Sequence, residues 1–158
     1  MNNSGMTDIV KTVTKYISGP IFLFGLYILL FGHLTPGGGF AGGVIMAGCF
    51  ILITLAFGKD EVERFLPHRR VTFLESLGAL IFLIMSFVSV IFGKNYFLNL
   101  LHRKFGSIYF RFLSSGNIII YNIGIAIKVM AGIFFVFFVL SITRVIVVGN
   151  DFKMVKKK

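Results

Sequence analysis

The segment His33-Leu34-Thr35-Pro36-Gly37-Gly38-Gly39-Phe40 decides how this chain is built, because of what flanks it. Before it runs an apolar stretch from about Ile17 to Leu34, and after it another from about Phe40 to Phe57. A membrane span needs roughly 20 predominantly apolar residues, and both stretches qualify. Pro36 cannot continue a helical hydrogen-bond ladder, and the glycines accept backbone angles that other residues refuse. The connection from Gly32 to Gly39 is too short to be a domain, so the two spans must form an antiparallel hairpin. Gly39, Gly43 and Ala47 then recur at four-residue spacing, and Gly38 and Gly42 make a second such pair. Small residues at this spacing let helix backbones approach closely in lipid. The second span is therefore expected to pack against protein. Pro36, Gly37, Gly38, Gly39, Gly42 and Gly43 are the candidate hairpin and packing residues.

Two further apolar stretches follow, at about Phe73 to Phe92 and about Ile118 to Ser141. Of the 158 residues, 56% are hydrophobic and 14% charged. A soluble domain carries about 25% charged residues, so this chain lacks the polar surface to cover a globule in water. The expected fold is an all-α integral membrane protein with four transmembrane helices. The expected organisation is a polar lead over residues 1–16, a four-helix membrane domain over 17–141 and a basic tail over 142–158. The first span lies too far along the chain, without a small-residue cleavage pattern, to read as a signal peptide. Thr7 and Asp8 are placed to cap a short amphipathic helix on the membrane surface. The loop from Gly58 to Thr72 mixes both signs of charge and reads as a solvated, partly helical connector. The loop from Lys94 to Asn117 holds Tyr96, Phe97, Tyr109, Phe110 and Phe112 and is expected at the interface, rings at headgroup level.

The formal net charge of +10 invites a nucleic-acid reading, but the charges sit in loops and tails, and no helix carries a basic stripe. Topology accounts for them instead. With four spans, Lys11, Lys15, Lys59, Arg64, Arg69, Arg70, Arg144, Lys153, Lys156, Lys157 and Lys158 fall on one side, and Lys94, Arg103, Lys104 and Arg111 on the other. Basic residues collect on the cytoplasmic side, so both termini are expected there, in a multi-pass protein of the cell membrane. The terminal lysines are expected near anionic headgroups.

Gly37, Gly39 and Gly42 match a dinucleotide-binding spacing, but that pattern has meaning only between a strand and a helix, and here an apolar span precedes it. Lys128 is more informative. It sits mid-way along the fourth span, roughly 15 Å from the nearer end. A lysine stem reaches only about 6 Å, so its charge must find a partner or water. Gly124 and Gly132, one turn away on either side, suggest close packing against protein. Two readings stand side by side: an ion-pathway lysine read by a carboxylate on another subunit, and a structural buried ion pair. Glu75 is placed in the first turn of the third span, near a membrane face, where the helix dipole favours an acid. His33 ends the first span near the far interface and is expected to be solvated. Asn122 can hydrogen-bond between helices. Lys128, Asn122, Glu75 and His33 are the ion-pathway candidates. Cys49 reads as a small apolar packing residue. His68 and His102 are isolated in loops, no metal-ligand spacing occurs, and no nucleophile–base arrangement is visible. No cofactor, metal site or catalysis by this chain alone is expected.

The stretch Leu26-Tyr27-Ile28-Leu29-Leu30-Phe31-Gly32-His33-Leu34-Thr35-Pro36-Gly37-Gly38-Gly39-Phe40-Ala41-Gly42-Gly43 resembles the hallmark of the B subunit of Mrp-type multisubunit sodium/proton antiporters. That hallmark reads Gly-His, a short gap, Pro-Gly-Gly-Gly-Phe and then Gly-Gly. Tyr121-Asn122-Ile123-Gly124-Ile125 occupies the place of an aromatic-Asp-Ile-Gly-Val pattern. The resemblance covers roughly residues 15–142. Asn122 departs from the usual acid. There, and over Lys128-Val129-Met130-Ala131-Gly132, the chain looks more like the counterparts in membrane-bound respiratory hydrogenases and sulfane reductases. The resemblance implies a small hydrophobic subunit that supports assembly and the translocation of sodium ions or protons, with other membrane subunits as partners. Any redox chemistry belongs to other chains. A self-contained channel and a purely structural anchor are the rival readings.

Overall fold

A computed structural model describes residues 5–34, 36–93, 95–99, 115–148 and 151–156. Thr35 and residues 100–114, with His102 and most of the aromatic loop, lie outside the described residues. Four long apolar helices dominate: α1 (Asp8–Phe31), α2 (Gly38–Phe57), α4 (His68–Gly93) and α5 (Ile118–Ile142). A short helix, α3 (Lys59–Phe65), joins α2 to α4. Beyond α5 the backbone pairs as an antiparallel ribbon of β1 (Thr143–Val148) and β2 (Asp151–Lys156). Each long helix is apolar and long enough to cross a membrane. The membrane part is all-α, as expected.

Two helices begin earlier than their apolar cores. α1 starts at Asp8, so residues 8–16 are the first turns of the first span's own helix. Thr7 stands at the N-cap position without a side-chain capping bond, and Asp8 lies in the first turn. α4 starts at His68, directly after Pro67, whose carbonyl accepts the Arg70 N–H. Hydropathy marks only the segment that needs hydrocarbon. A helix continues outward until a proline or glycine stops it, and its basic end turns reach headgroup level.

The four helices stand in a row rather than a closed square. α1 packs on α2, α2 also on α5, and α5 also on α4, while α1 barely touches α5. The central place of α2 follows from its small residues. Gly42 presents its bare backbone to α1: a Cβ there would come within 2.7 Å of the Gly25 carbonyl oxygen and 3.0 Å of Leu29. Gly39 and Gly43 face the other way. A Cβ on Gly39 would run into the Asn122 backbone, and one on Gly43 would lie 2.8 Å from the Ala126 carbonyl oxygen. Ala47 continues this face and is fully buried. Close contact in lipid depends on such small residues, since lipid tails are as apolar as the side chains they would replace.

The hairpin between α1 and α2 needs glycine for its angles as well. Gly37 and Gly38 take φ +142° and +72°, which side chains rarely adopt. A Cβ on Gly32 would strike the Gly38 backbone. At the opposite end, the Met6 N–H donates to the Ala56 carbonyl at 3.0 Å, so the N-terminal segment lies beside the end of α2. Val62 of α3 tucks under the bundle with Val71, Ala131, Phe134 and Phe138, so the connector is amphipathic, with an exposed Glu61–Arg64 pair.

A candidate ion-pathway seam and its neighbours

α4 and α5 meet where both lack side-chain bulk. A Cβ on Gly78 would lie 2.6 Å from the Gly124 carbonyl oxygen and 2.6 Å from the Lys128 backbone nitrogen. One on Gly124 would lie 3.0 Å from the Gly78 carbonyl oxygen. This crossing brings Lys128 and Glu75 together, with Nζ 3.8 Å from Oε1. Glu75 therefore supplies a partner within the chain, where the sequence left a partner inside the chain and one on another subunit both open. The expected placement also changes: with α4 starting at His68, Glu75 lies in its third turn, beyond the reach of the helix dipole. Gly132 does not form a tight contact of its own. A Cβ there would meet only Glu75 Oε1, at 3.8 Å, so Gly132 leaves room for the carboxylate.

The pair is not sealed. The Lys128 side chain is 53% exposed and that of Glu75 36%. A hollow of about 490 Å³ opens there, lined by Glu75, Ser76, Ala79, Leu80, Leu83 and Lys128. A second, of about 470 Å³, continues past Gly78, Phe82 and Gly124. Lys128, Ala79 and Leu83 line both.

The other polar candidates lie elsewhere. Asn122 stands at the α2–α5 seam, its side-chain oxygen 3.6 Å from where a Gly38 Cβ would sit. His33 lies at the hairpin end, and its ring nitrogens are buried without hydrogen-bond partners among the described residues, not solvated as expected. Cys49 packs as a small buried residue, its thiol donating to the Ser18 carbonyl at 3.2 Å.

Two features escaped the sequence reading. Gly78 was one, although it is the sole glycine in the third apolar stretch. The second is a polar staple at the far end of the α4–α5 seam. Asn117 is buried, and its side chain donates to the Leu98 carbonyl at 3.2 Å. The Asn99 side chain donates to the Ser115 carbonyl at 2.7 Å and accepts the Asn117 N–H at 3.0 Å. Ser89 donates to the same Leu98 carbonyl at 3.2 Å and lies 3.4 Å from the Tyr121 hydroxyl. Phe82 and Phe97 pack around the Tyr121 ring.

Residues 9–135 match the family described as a domain related to the MnhB subunit of Na+/H+ antiporter. The chain belongs to this MnhB-related family. Its relatives include a Staphylococcus haemolyticus protein named as antiporter subunit mnhB2, 35% identical over 84% of this chain and 93% of that protein. An uncharacterised protein of Methanocaldococcus jannaschii is 34% identical over 89% of this chain. This chain spans 55% of that archaeal relative's length. Among solved structures, a chain of the membrane-bound sulfane sulfur reductase, an archaeal respiratory membrane complex, superposes with a TM-score of 0.66 at 29% identity. That match covers 86% of this chain and 58% of the other. The chain is thus similar both to a named antiporter subunit and to a chain of a respiratory membrane complex.

Proposed function

We propose that this chain is a non-catalytic membrane subunit of an Mrp-type Na+/H+ antiporter module, supporting complex assembly and cation/proton translocation. The observation that carries the reading is the family match over residues 9–135. The near-complete coverage of the staphylococcal antiporter subunit supports it. The glycine-lined seams serve assembly, with Pro36 to Gly43 shaping the hairpin and Gly78 with Gly124 the α4–α5 crossing. Lys128 and Glu75 are the first ion-pathway candidates, since ionisable groups at membrane depth mark ion routes or pairs with functional roles. Asn122 and His33 are lesser candidates. The chain resides in the cytoplasmic membrane with both termini on the cytoplasmic side, and its companions are other membrane subunits.

The likeness to the sulfane reductase chain favours a second reading, in which the parent complex is respiratory and this chain sits in its ion-pumping arm. Co-purified subunits decide between them: antiporter subunits alone support the first, iron–sulfur or nickel-iron subunits the second. The function itself is tested by reconstituting the complex with and without this chain and measuring sodium-driven proton flux in proteoliposomes. The reading requires flux to disappear without the chain. Full flux without it, or robust flux from the purified chain alone, overturns the reading.

A further inference from the structure

We infer that the open groove along the α4–α5 seam is the seat of one transmembrane helix from a partner subunit, which presents an oxygen acceptor to Lys128. The inference rests on the reading of this chain as a subunit of a membrane complex. Three observations lead to it.

The first is depth. Lys128 is level with Gly78, which stands about 15 Å from the start of α4 at the helical rise of about 1.5 Å per residue. Lys128, ten residues from the start of α5 and fourteen from its end, is therefore deep in its span, too deep to snorkel out. The second is exposure. More than half of the Lys128 side chain and a third of that of Glu75 are open on the same side, into hollows that share Ala79 and Leu83. Hydrocarbon cannot cover ionised groups there. Water cannot fill the groove unless protein closes it from the lipid. The third is the unfinished electrostatics of the pair. A lysine ammonium has three donors and no acceptor, while Glu75 approaches it from one direction at 3.8 Å. An oxygen on the occupant would complete the ammonium's coordination.

The shape of the groove selects a helix. α4 packs chiefly on α5, and only 11% of its apolar window is buried, the least of the four spans. Leu80, Leu83 and Phe87 form an exposed ridge along one wall. The floor is the α4–α5 crossing itself, where Gly78 and Gly124 bring the two backbones together and line the second hollow.

The test uses the full complex in native membranes, with a photo-crosslinking benzoyl-phenylalanine in place of Leu83 and, separately, of Leu80. Both residues are half exposed and line the Glu75–Lys128 hollow. Either probe is expected to join a transmembrane segment of another subunit at least tenfold more than lipid. Sequencing of the adduct is expected to show an oxygen-bearing side chain within one helical turn of the joined residue. In Lys128→Met membranes the yield is expected to fall at least fivefold. Labelling of lipid only, an adduct on a wholly apolar segment or an adduct with a second copy of this chain overturns the inference. Native electrophoresis of the same membranes separates the two levels. A chain that migrates with antiporter or respiratory subunits while both probes label lipid refutes the groove's role alone. A chain that migrates by itself refutes both readings.

Discussion

Glu75 Oε1 stands 3.8 Å from Lys128 Nζ across a seam where two glycines, Gly78 and Gly124, bring the backbones of α4 and α5 together. The lysine charge thus has one partner within the chain, and the two ion-pathway candidates stand together. Removing either partner leaves an uncompensated charge at membrane depth, which costs more than removing both. Lys128→Ala and Glu75→Gln are each expected to lower the amount of assembled complex several-fold. The double variant Glu75→Gln/Lys128→Met is expected to assemble better than either single variant but not to transport. Native electrophoresis measures the first quantity and sodium-driven proton flux, normalised to complex, the second. Unchanged flux in Lys128→Ala with assembly intact would end the transport role of Lys128.

The packing seams give a graded prediction. Gly43→Ala places a methyl 2.8 Å from the Ala126 carbonyl oxygen, where both neighbours are backbone-anchored and cannot yield cheaply. It is expected to destabilise the α2–α5 contact by about 1–3 kcal/mol, the usual cost of overpacking. Gly78→Ala is expected to behave alike at the α4–α5 seam. At Gly48 nothing lies within 4 Å of a new methyl, so Gly48→Ala should be neutral or slightly stabilising. Thermal unfolding in detergent, followed by the helical signal, ranks the three. Equal losses at Gly43 and Gly48 would refute the seam geometry.

Much of this was legible in the sequence, and the particular misses have physical causes. The four spans and the glycine hairpin follow from hydropathy and from proline and glycine chemistry, which act locally. The spacing of Gly39, Gly43 and Ala47 gave one face of α2 correctly, because helical periodicity fixes which residues share a side. It did not say which helix that face meets, since α5 lies far along the chain. Glu75 was misplaced because hydropathy starts the third span at Phe73, while the helix begins at His68. That offset moved the carboxylate from the first turn to the third, and a placement near a membrane face argued against its pairing with Lys128. Asn99 and Asn117 lie at the ends of a loop, where periodicity carries no signal, so their mutual hydrogen bonds could not be read.

Asn117 offers a test of that staple. It is 1% exposed, and its side chain donates to the Leu98 carbonyl, which Ser89 also serves. Asn117→Leu removes the donor and leaves polar groups buried beside an apolar side chain. The expected loss is about 1–3 kcal/mol, the cost of unsatisfied buried groups. Ser89→Ala is expected to cost less, because Asn117 still serves the Leu98 carbonyl. Melting temperatures of the purified complex check the order. A larger loss for Ser89→Ala would place the centre of the staple elsewhere.

Orientation can be tested without disturbing the native thiol. Cys49 is 3% exposed and engaged with the Ser18 carbonyl, so it should stay silent to a membrane-impermeant maleimide in intact cells. New cysteines can then report from the two ends of the row. Leu34 is 44% exposed at the hairpin end. Arg69 is exposed in the first turn of α4, at the opposite end, just after the α3–α4 connection. The eleven basic residues assigned to the termini and the Lys59–Arg70 connector, against four on the other side, set the direction. Moving lysine or arginine across the membrane during insertion is unfavourable, so the richer side stays cytoplasmic. Leu34→Cys is therefore expected to label from outside intact cells, and Arg69→Cys only after permeabilisation. The reverse pattern would place the hairpin in the cytoplasm and the basic connector outside, against the charge rule on which the orientation rests.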